Sequence, residues 1–487
     1  MIVMKFGGTS VEDSKAIARV ASIVAGRRQQ RPAVVVSAMG GVTDVLIAMA
    51  KGAAAGDLAG ALKSLQAVQE RHLKACEELR VPPQAVAKLH SLFDALEVVL
   101  RGIAALGELS PRTMDNVMSY GEICSSTLVT AAFNVLGLEA ELVDSRECLI
   151  TDSAFTHAAP NFEATNQRTQ SKLMPLLARC CVPVMGGFIA SNADGITTTL
   201  GRGGSDYSAS IIGAALSADS IEIWTDVQGV MTTDPRLCPS AHKIDEMGFA
   251  EASELAYFGA KVLHPSTLIP AVKKNIPVYV LDSRHPEGKG TCIRARAPRS
   301  QTTFRAIAAK KNVTIINMKT ARKPMAFSFL KALFEAFEHH SLSADLVSTS
   351  EASVSIALDS AGVVPQLVEQ LKQLGDVEVE PTMAIVCLVG EDIKHMIGVA
   401  ASVFSTISAA GININMISQG ASEINISLVV EESEMAKAVQ HLHARFFEEP
   451  GSPPDAAVAS GGVVDQPQAA LPEHKLASGA AAKARKN

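Results

Sequence analysis

The chain has 487 residues, enough for roughly two to four domains, and its 47% apolar and 19% charged residues exclude a mostly disordered protein. A net charge of −6 gives no reason to expect a nucleic-acid partner, which demands a basic face. The longest apolar runs, such as Cys180–Ala190, fall far short of a membrane span.

The first residues lack a basic start followed by an apolar stretch, and Glu12 and Asp13 come early, so the expectation is a cytoplasmic protein without a leader. Eight cysteines are scattered, with Cys180–Cys181 a vicinal pair, and neither CxxC nor HExxH occurs. That pattern predicts reduced thiols and no structural metal.

Short β-branched runs at Ile2–Phe6, Ala33–Val36, Glu141–Val143, Val182–Met185, Ile221–Trp224 and Val278–Leu281 alternate with helical segments. Near-continuous apolar strands of this kind predict an α/β fold, three layers deep, with a mainly parallel sheet covered on both faces. Residues 57–109 interrupt the alternation. Leu62, Leu65, Leu73 and Cys76, then Leu89, Leu92, Phe93, Leu96, Val99 and Leu100, fall at helical spacing on either side of Pro82–Pro83. They predict a packed helical pair, with nothing in it that suggests a ligand. Ser110-Pro111 reads as an N-cap followed by proline at the first helical position.

Beyond the sheet the chain repeats itself. At an offset of seventy, LFEAFEHHSLSADLVSTSEASVSIAL (333–358) lies over VFSTISAAGININMISQGASEINISL (403–428) without a gap. Each copy reads helix, strand, turn, strand, helix, which predicts two βαββαβ units. Residues 449–487 are rich in Pro, Ala, Gly, Ser and Gln, the composition of a disordered tail.

The chemistry gathers in glycine-rich turns. KFGGTS (5–10) follows a strand and precedes a helix expected over Val11–Arg19, so Gly7 and Gly8 could bring backbone N–H groups to an anion while Lys5 places a cation beside it. Walker A spacing is absent. TTTLGRGGSDYSA (197–209) is a second such turn, in which Arg202, Gly203, Gly204 and Ser205 form an anion cradle. Asp206 there could orient Lys5, hold Mg²⁺ or merely cap the helix. Thr225 and Asp226 end a strand, where ligands of open α/β sheets bind, and suggest a ribose or adenine contact. Arg236 suggests a phosphate contact, and so does Lys261 in FGAKVLHP. Glu122, read as lying on a small-residue turn in SYGEICSS, could pair with an ammonium or serve as a helix N-terminal acid. Transfer of a phosphoryl group to an anion needs several cations, and these supply them. Hydrolytic triads and the HRD and DFG signatures do not stand out.

KFGGTS, SAMGGVTD, SYGE, TTTLGRGGSDY, WTDVQGVMTTDPR and FGAKVLHP occur together and in order. The chain therefore resembles aspartate kinase of the amino-acid kinase family from residue 1 to about 447, with a C-terminal pair similar to ACT domains. The resemblance implies a catalytic domain over 1–295 with a helical insertion at 52–118, ACT-like domains over 305–380 and 381–448 that interleave, and transfer from MgATP to L-aspartate. Its product would be 4-phospho-L-aspartate, at the head of lysine, threonine and methionine biosynthesis. It implies Lys5 and Asp206 as the catalytic pair, and Thr43, Glu122, Phe188, Arg202, Gly203, Gly204 and Ser205 around aspartate. Lys5, Phe6, Gly7, Gly8, Thr225, Asp226, Met231, Arg236, Lys261 and Val262 would hold ATP, Met231 standing where the family often has an aromatic residue. Feedback inhibition by lysine is implied at Ser343, Ala344, Asp345, Ser350 and Glu351, with threonine, or no effector at all, as the alternatives. A homodimer is implied as well. Ser328 replaces the glycine that usually opens the ACT helix, and Lys323-Pro324 precedes it.

Overall fold

The computed structural model describes residues 1–259, 265–298, 302–319, 327–340, 342–350, 353–363, 365–419 and 424–448. Lys261, Val262, Lys323, Pro324, Glu351 and the 449–487 tail lie outside the described residues. An eight-stranded sheet runs in the order Ala140–Leu142, Val182–Gly186, Pro32–Val36, Ile2–Phe6, Ser220–Thr225, Val278–Asp282, Thr291–Arg294, Glu246–Gly248. Its first six strands pair in parallel, and Thr291–Arg294 runs antiparallel to Val278–Asp282.

Strand alternation divides the core in two. Ile2, Met4, Phe6, Val34 and Val36 pack toward the helices Val42–Ala54, Leu58–Glu78, Pro83–Leu106 and Pro111–Val135. Val3, Ala33 and Val35 face Phe162–Ala178 and Gly204–Leu216 on the other side. The architecture is the expected three-layer α/β/α sandwich. Leu65, Cys76, Leu89, Phe93, Leu96 and Leu100 of the helical pair are all buried. The Ser110 hydroxyl accepts from the Thr113 N–H at 3.2 Å, capping the helix that Pro111 opens. One expectation shifts: Gly8–Val11 is a 3₁₀ turn, and the α-helix begins only at Ser14, capped by Asp13.

The repeat forms one antiparallel six-stranded sheet, ordered Leu346–Thr349, Ser353–Asp359, Ala306–Lys319, Asp376–Val389, Asn425–Glu431, Met416–Ser418. Its two long central strands, 14 residues each, are themselves offset by seventy positions. The strand order thus reads the same from either edge, a pseudo-twofold between the two central strands. Ala306–Lys310 pairs with Ile385–Val389, and Ile315–Lys319 pairs with Asp376–Glu380, so each long strand serves both repeats. Ile316, Met318, Val354 and Ile356 pack beneath the helices Phe327–His339 and Pro365–Lys372, while Ala384, Val386 and Leu388 pack beneath Val399–Ala409 and Met435–His443. The opposite face, including Ile315, Ile385 and Val429, joins the core that contains Leu255 and Phe258. Helix Phe249–Tyr257 crosses this junction: Glu251 pairs with Arg305 at 3.2 Å, Asn425 donates to Glu254, and Tyr257 Oη donates to the Ala344 carbonyl at 3.2 Å.

Candidate active site

Lys5 lies at the carboxyl end of strand Ile2–Phe6 on the face opposite Met4 and Phe6, and only 8% of its surface is exposed. Its Nζ lies 2.6 Å from Asp206 Oδ1. That oxygen has no partner in hydrogen-bond geometry, so the contact is an ion pair, and the ammonium keeps protons for another acceptor. Asp206 does not cap its helix. Gly203 does, at φ 72°, a conformation that a side chain would resist, and Asp206 stands in the first turn where the helix dipole favours a carboxylate. The second glycine-rich turn thereby holds the acid over the first.

The first turn is equally constrained. A Cβ on Gly8 would meet the Ala38 carbonyl at 2.9 Å, because the Gly40 N–H donates to Gly8 O at 3.0 Å. Gly7 is not a free donor, for its N–H already reaches Trp224 O at 3.0 Å. That bond fixes the Lys5 strand end against Thr225 and Asp226, with Phe6 opposite Trp224 in parallel register. Phe6 is fully buried, its ring stacked 6.0 Å from Trp224, so only its backbone can face a ligand.

A cleft of about 690 Å³ opens beside Lys5, and Gly8, Thr43, Glu122, Phe188, Arg202, Gly203, Gly204, Ser205 and Asp206 all line it. Phe188 holds φ 64°, pinned by its N–H donating to Ser208 Oγ at 2.9 Å. Glu122 lies mid-helix in Pro111–Val135, not on a turn; the small residues around it let the helix pack against the sheet. Its Oε1 accepts from the Ala38 N–H at 3.1 Å, while Oε2 has no protein partner. Burial pushes this carboxyl up to about 8, against the opposing pull of the Ala38 N–H and of Lys5. A buried acid with one oxygen unmatched suits a cationic ligand group.

Met231 and Arg236 stand apart from this cleft, on the segment that follows Asp226. Met231 bridges Lys243, and the exposed Arg236 guanidinium is folded onto Asp234 at 2.6 Å. In the six-stranded sheet, Asp345 pairs with Lys310 at 2.6 Å, so an internal ammonium already occupies that carboxylate. Ser343 and Ala344 line a groove with Phe334, Leu342 and Val347, and the Ser350 hydroxyl bonds that of Ser353 at 2.7 Å.

Two residues that sequence reasoning passed over complete the site. Arg71, from the helical pair, donates to Gly40 O at 2.6 Å and to Glu12 O, clamping the loop that carries Ala38. Asp115 is fully buried and accepts from Thr156 N–H, Thr199 N–H and the Thr199 hydroxyl, the last at 2.7 Å. Burial raises its carboxyl while those donors oppose. It ties the cleft-lining Thr156 to strand Thr197–Thr199. A charged residue on an otherwise amphipathic helix gives no such signal in sequence.

The sequence profile of the amino acid kinase family matches residues 1–282, and that of an ACT domain matches residues 386–446. The chain belongs to the amino acid kinase family. Within that family it is 38% identical over 456 residues to lysine-sensitive aspartokinase 3 of Escherichia coli (strain K12), covering 92% of this chain and 99% of that one. To the chloroplastic aspartokinase 1 of Arabidopsis thaliana it is 36% identical over 460 residues, 92% and 80% of the two chains. Among solved structures it resembles E. coli aspartokinase III in complex with aspartate and ADP (R-state), with a TM-score of 0.81 and 37% identity over 91% of this chain and 99% of that chain. The same enzyme in complex with lysine and aspartate (T-state) gives a TM-score of 0.78 at 37% identity, over 92% and 99%. The family expectation drawn from the motifs is thus met. No helix among the described residues is long and apolar enough to cross a membrane.

Proposed function

We propose that this chain is an aspartate kinase, transferring the γ-phosphoryl group of ATP to the side-chain carboxylate of L-aspartate to give 4-phospho-L-aspartate and ADP. The observation that carries the reading is the Lys5–Asp206 pair at the head of a cleft whose floor holds Glu122 with one oxygen unmatched. In this reading Glu122 receives the substrate ammonium, and Arg202 with the Gly203–Ser205 turn receives a carboxylate. The acceptor carboxylate oxygen attacks the γ-phosphorus in line; the bond from phosphorus to the β,γ-bridging oxygen breaks, and that oxygen leaves on ADP with the electron pair. Lys5 follows the charge onto the equatorial phosphoryl oxygens, and Asp206 holds the ammonium in place.

Nucleotide would lie along the neighbouring strand ends, with Gly7, Thr225 and Asp226 beside Lys5 and with Met231 and Arg236 further out; Lys261 and Val262 are proposed nucleotide residues on the motif alone. Mg²⁺ fits the hard oxygen donors here, Asp206 and the ligand phosphates, and supplies charge neutralisation when bound. Residues 1–295 would form the catalytic unit and 305–448 the interleaved regulatory pair, with a homodimer as the working assembly. Lysine is the proposed effector, competing with Lys310 for Asp345.

An ADP-coupled assay with aspartate, glutamate and N-acetylglutamate tests the reaction. Turnover confined to a substrate other than aspartate would sink it.

A further inference from the structure

The helix Met435–His443 ends in a histidine that none of the chemistry above employs. His443 is completely buried, and it points away from its own sheet into the segment that follows strand Ser220–Thr225. Its Nε2 lies 2.9 Å from Thr232 Oγ1 and its Nδ1 lies 2.8 Å from Glu448 Oε1. Its ring stacks on Phe447 at 4.9 Å, which fixes its plane.

Donor and acceptor directions follow from chemistry. A carboxylate only accepts, so Nδ1 carries the proton that Glu448 receives, and in the neutral ring Nε2 is left as an acceptor. Thr232 must then donate its hydroxyl proton to Nε2. Its oxygen remains free to accept, and the His242 N–H donates to it at 3.1 Å. The Ser240 hydroxyl closes the chain on Glu448 Oε1, and Cys238 Sγ lies 3.1 Å from Ser240 Oγ. Every link has one donor and one acceptor, running from the backbone of the loop to the Glu448 side-chain carboxylate.

We infer that His443 is a positioning residue for nucleotide binding, holding the Thr232 loop so that the Asp226–Arg236 segment keeps its shape. Thr232 stands one residue after Met231 and two before Asp234. Asp234 in turn organises the Arg236 end: its carboxylate accepts the Arg236 N–H at 2.9 Å, and its carbonyl accepts the N–H groups of Leu237 and Cys238. The neighbouring Gln440 donates to Leu237 O at 2.8 Å, and Leu237 and Cys238 pack with Val439 and Leu442 in the core of the second repeat. The loop is thus moored to the C-terminal sheet, where the Ile307 N–H also donates to Thr232 O at 2.7 Å, as well as to its own sheet through Val230 N–H and Thr291 Oγ1 at 2.8 Å. This inference rests on the reading of that segment as the nucleotide side.

Cys238, His443 and Glu448 also place three donor atoms within 4.8 Å of one another, a spacing a transition metal would accept. The hydrogen-bond chain already satisfies each of them, so the relay needs no ion.

Steady-state kinetics of the full chain separate the possibilities. His443→Ala and the near-isosteric Thr232→Val are expected to raise KM for ATP about tenfold, as for one lost buried hydrogen bond, with KM for aspartate and kcat within about twofold. His443→Gln, whose amide oxygen replaces Nε2 as acceptor, is expected to restore most of the loss. Should His443→Ala fail to fold, Thr232→Val decides alone. Unchanged KM for ATP in Thr232→Val, with Arg236→Ala still raising it, overturns the role of His443. If Arg236→Ala is also silent, the nucleotide reading of the segment fails first and takes the inference with it. Stoichiometric zinc in the purified protein, lost in His443→Ala, would make His443 a metal ligand and overturn the relay.

Discussion

Glu122 offers the sharpest test, because its burial makes a quantitative claim about pH. With its carboxyl pushed up to about 8, the free enzyme at neutral pH holds Glu122 protonated. A substrate ammonium requires the charged form, so binding below pH 8 must release that proton. Each pH unit below 8 then weakens aspartate binding by about tenfold, or about 1.4 kcal/mol. We expect log KM for aspartate to fall with a slope near −1 from pH 6 to 8 and to flatten above, while KM for ATP stays level. Glu122→Gln removes both the charge and the titration. Its KM should rise by roughly 30-fold or more at pH 8, as for loss of one partner of a buried charge pair, and should lose the slope.

Folding stability carries the opposite sign. A carboxyl raised in the folded state binds more protons there than in the unfolded chain, so its contribution is full below the unfolded value and is lost as pH rises to about 8. Glu122→Gln should therefore melt higher than the parent at pH 8.5 in the absence of aspartate. The assay is initial-rate kinetics at saturating MgATP across pH 6–9, with melting curves alongside. A flat KM profile in the parent, or a slope that persists in Glu122→Gln, would refute the assignment of the ammonium to this acid.

Other expectations are equally direct. Lys5→Ala should cost roughly 10²–10³ in kcat with a normal melting curve, and equal activity in variant and parent would remove Lys5 from the chemistry. His72 is fully buried in the helical pair with Nε2 unpartnered, and burial holds its pKa down to about 4. The unfolded chain binds its proton first, so stability should fall by at most about 3 kcal/mol as pH drops from 6.5 to 4, and His72→Leu should abolish that component in urea titrations. Lys310→Met frees Asp345 and should lower the lysine concentration giving half inhibition, whereas Asp345→Ala should raise it. Identical inhibition curves in both would remove this pair from the effector site. Arg71→Met should raise KM for aspartate several-fold by releasing the Ala38 loop, a change that binding calorimetry can confirm.

The sheet was legible in the sequence because its strands are buried on both faces, and Val3–Phe6, Ala33–Val36 and Ile221–Trp224 have no other use for such apolar density. The repeat was legible because duplication preserves spacing even where identities drift. The glycine-rich turns pointed to the site because few other residues allow backbone to approach so closely. What sequence hid were long-range closures. Glu122 read as a turn acid because its small neighbours look like a loop, whereas they are the packing face of a long helix. Arg71 and Asp115 are ordinary charges until folding brings backbone from 31 and 84 positions away to meet them. Gly7 looked like a free donor until the neighbouring strand took its N–H.

The pseudo-twofold sheet raises a final question of how a symmetric scaffold can carry an asymmetric signal. Backbone symmetry is close, since both central strands are offset by seventy positions. Chemistry does not follow it. Asp345 has Asn415 as its counterpart, and Lys310 has Glu380, which instead accepts from Asn317. An acid matched to an ammonium therefore exists at this position in the first repeat and not in the second. The contacts to the catalytic half are uneven in the same sense. Tyr257, at the end of its helix, reaches Ala344, the residue beside Asp345, while three residues earlier Glu254 meets Asn425 of the second repeat. One helix face thus touches both repeats at positions the duplication does not equate. A ligand that displaced Lys310 from Asp345 would therefore act beside Ala344, which Tyr257 reaches, and not beside its counterpart Ile414.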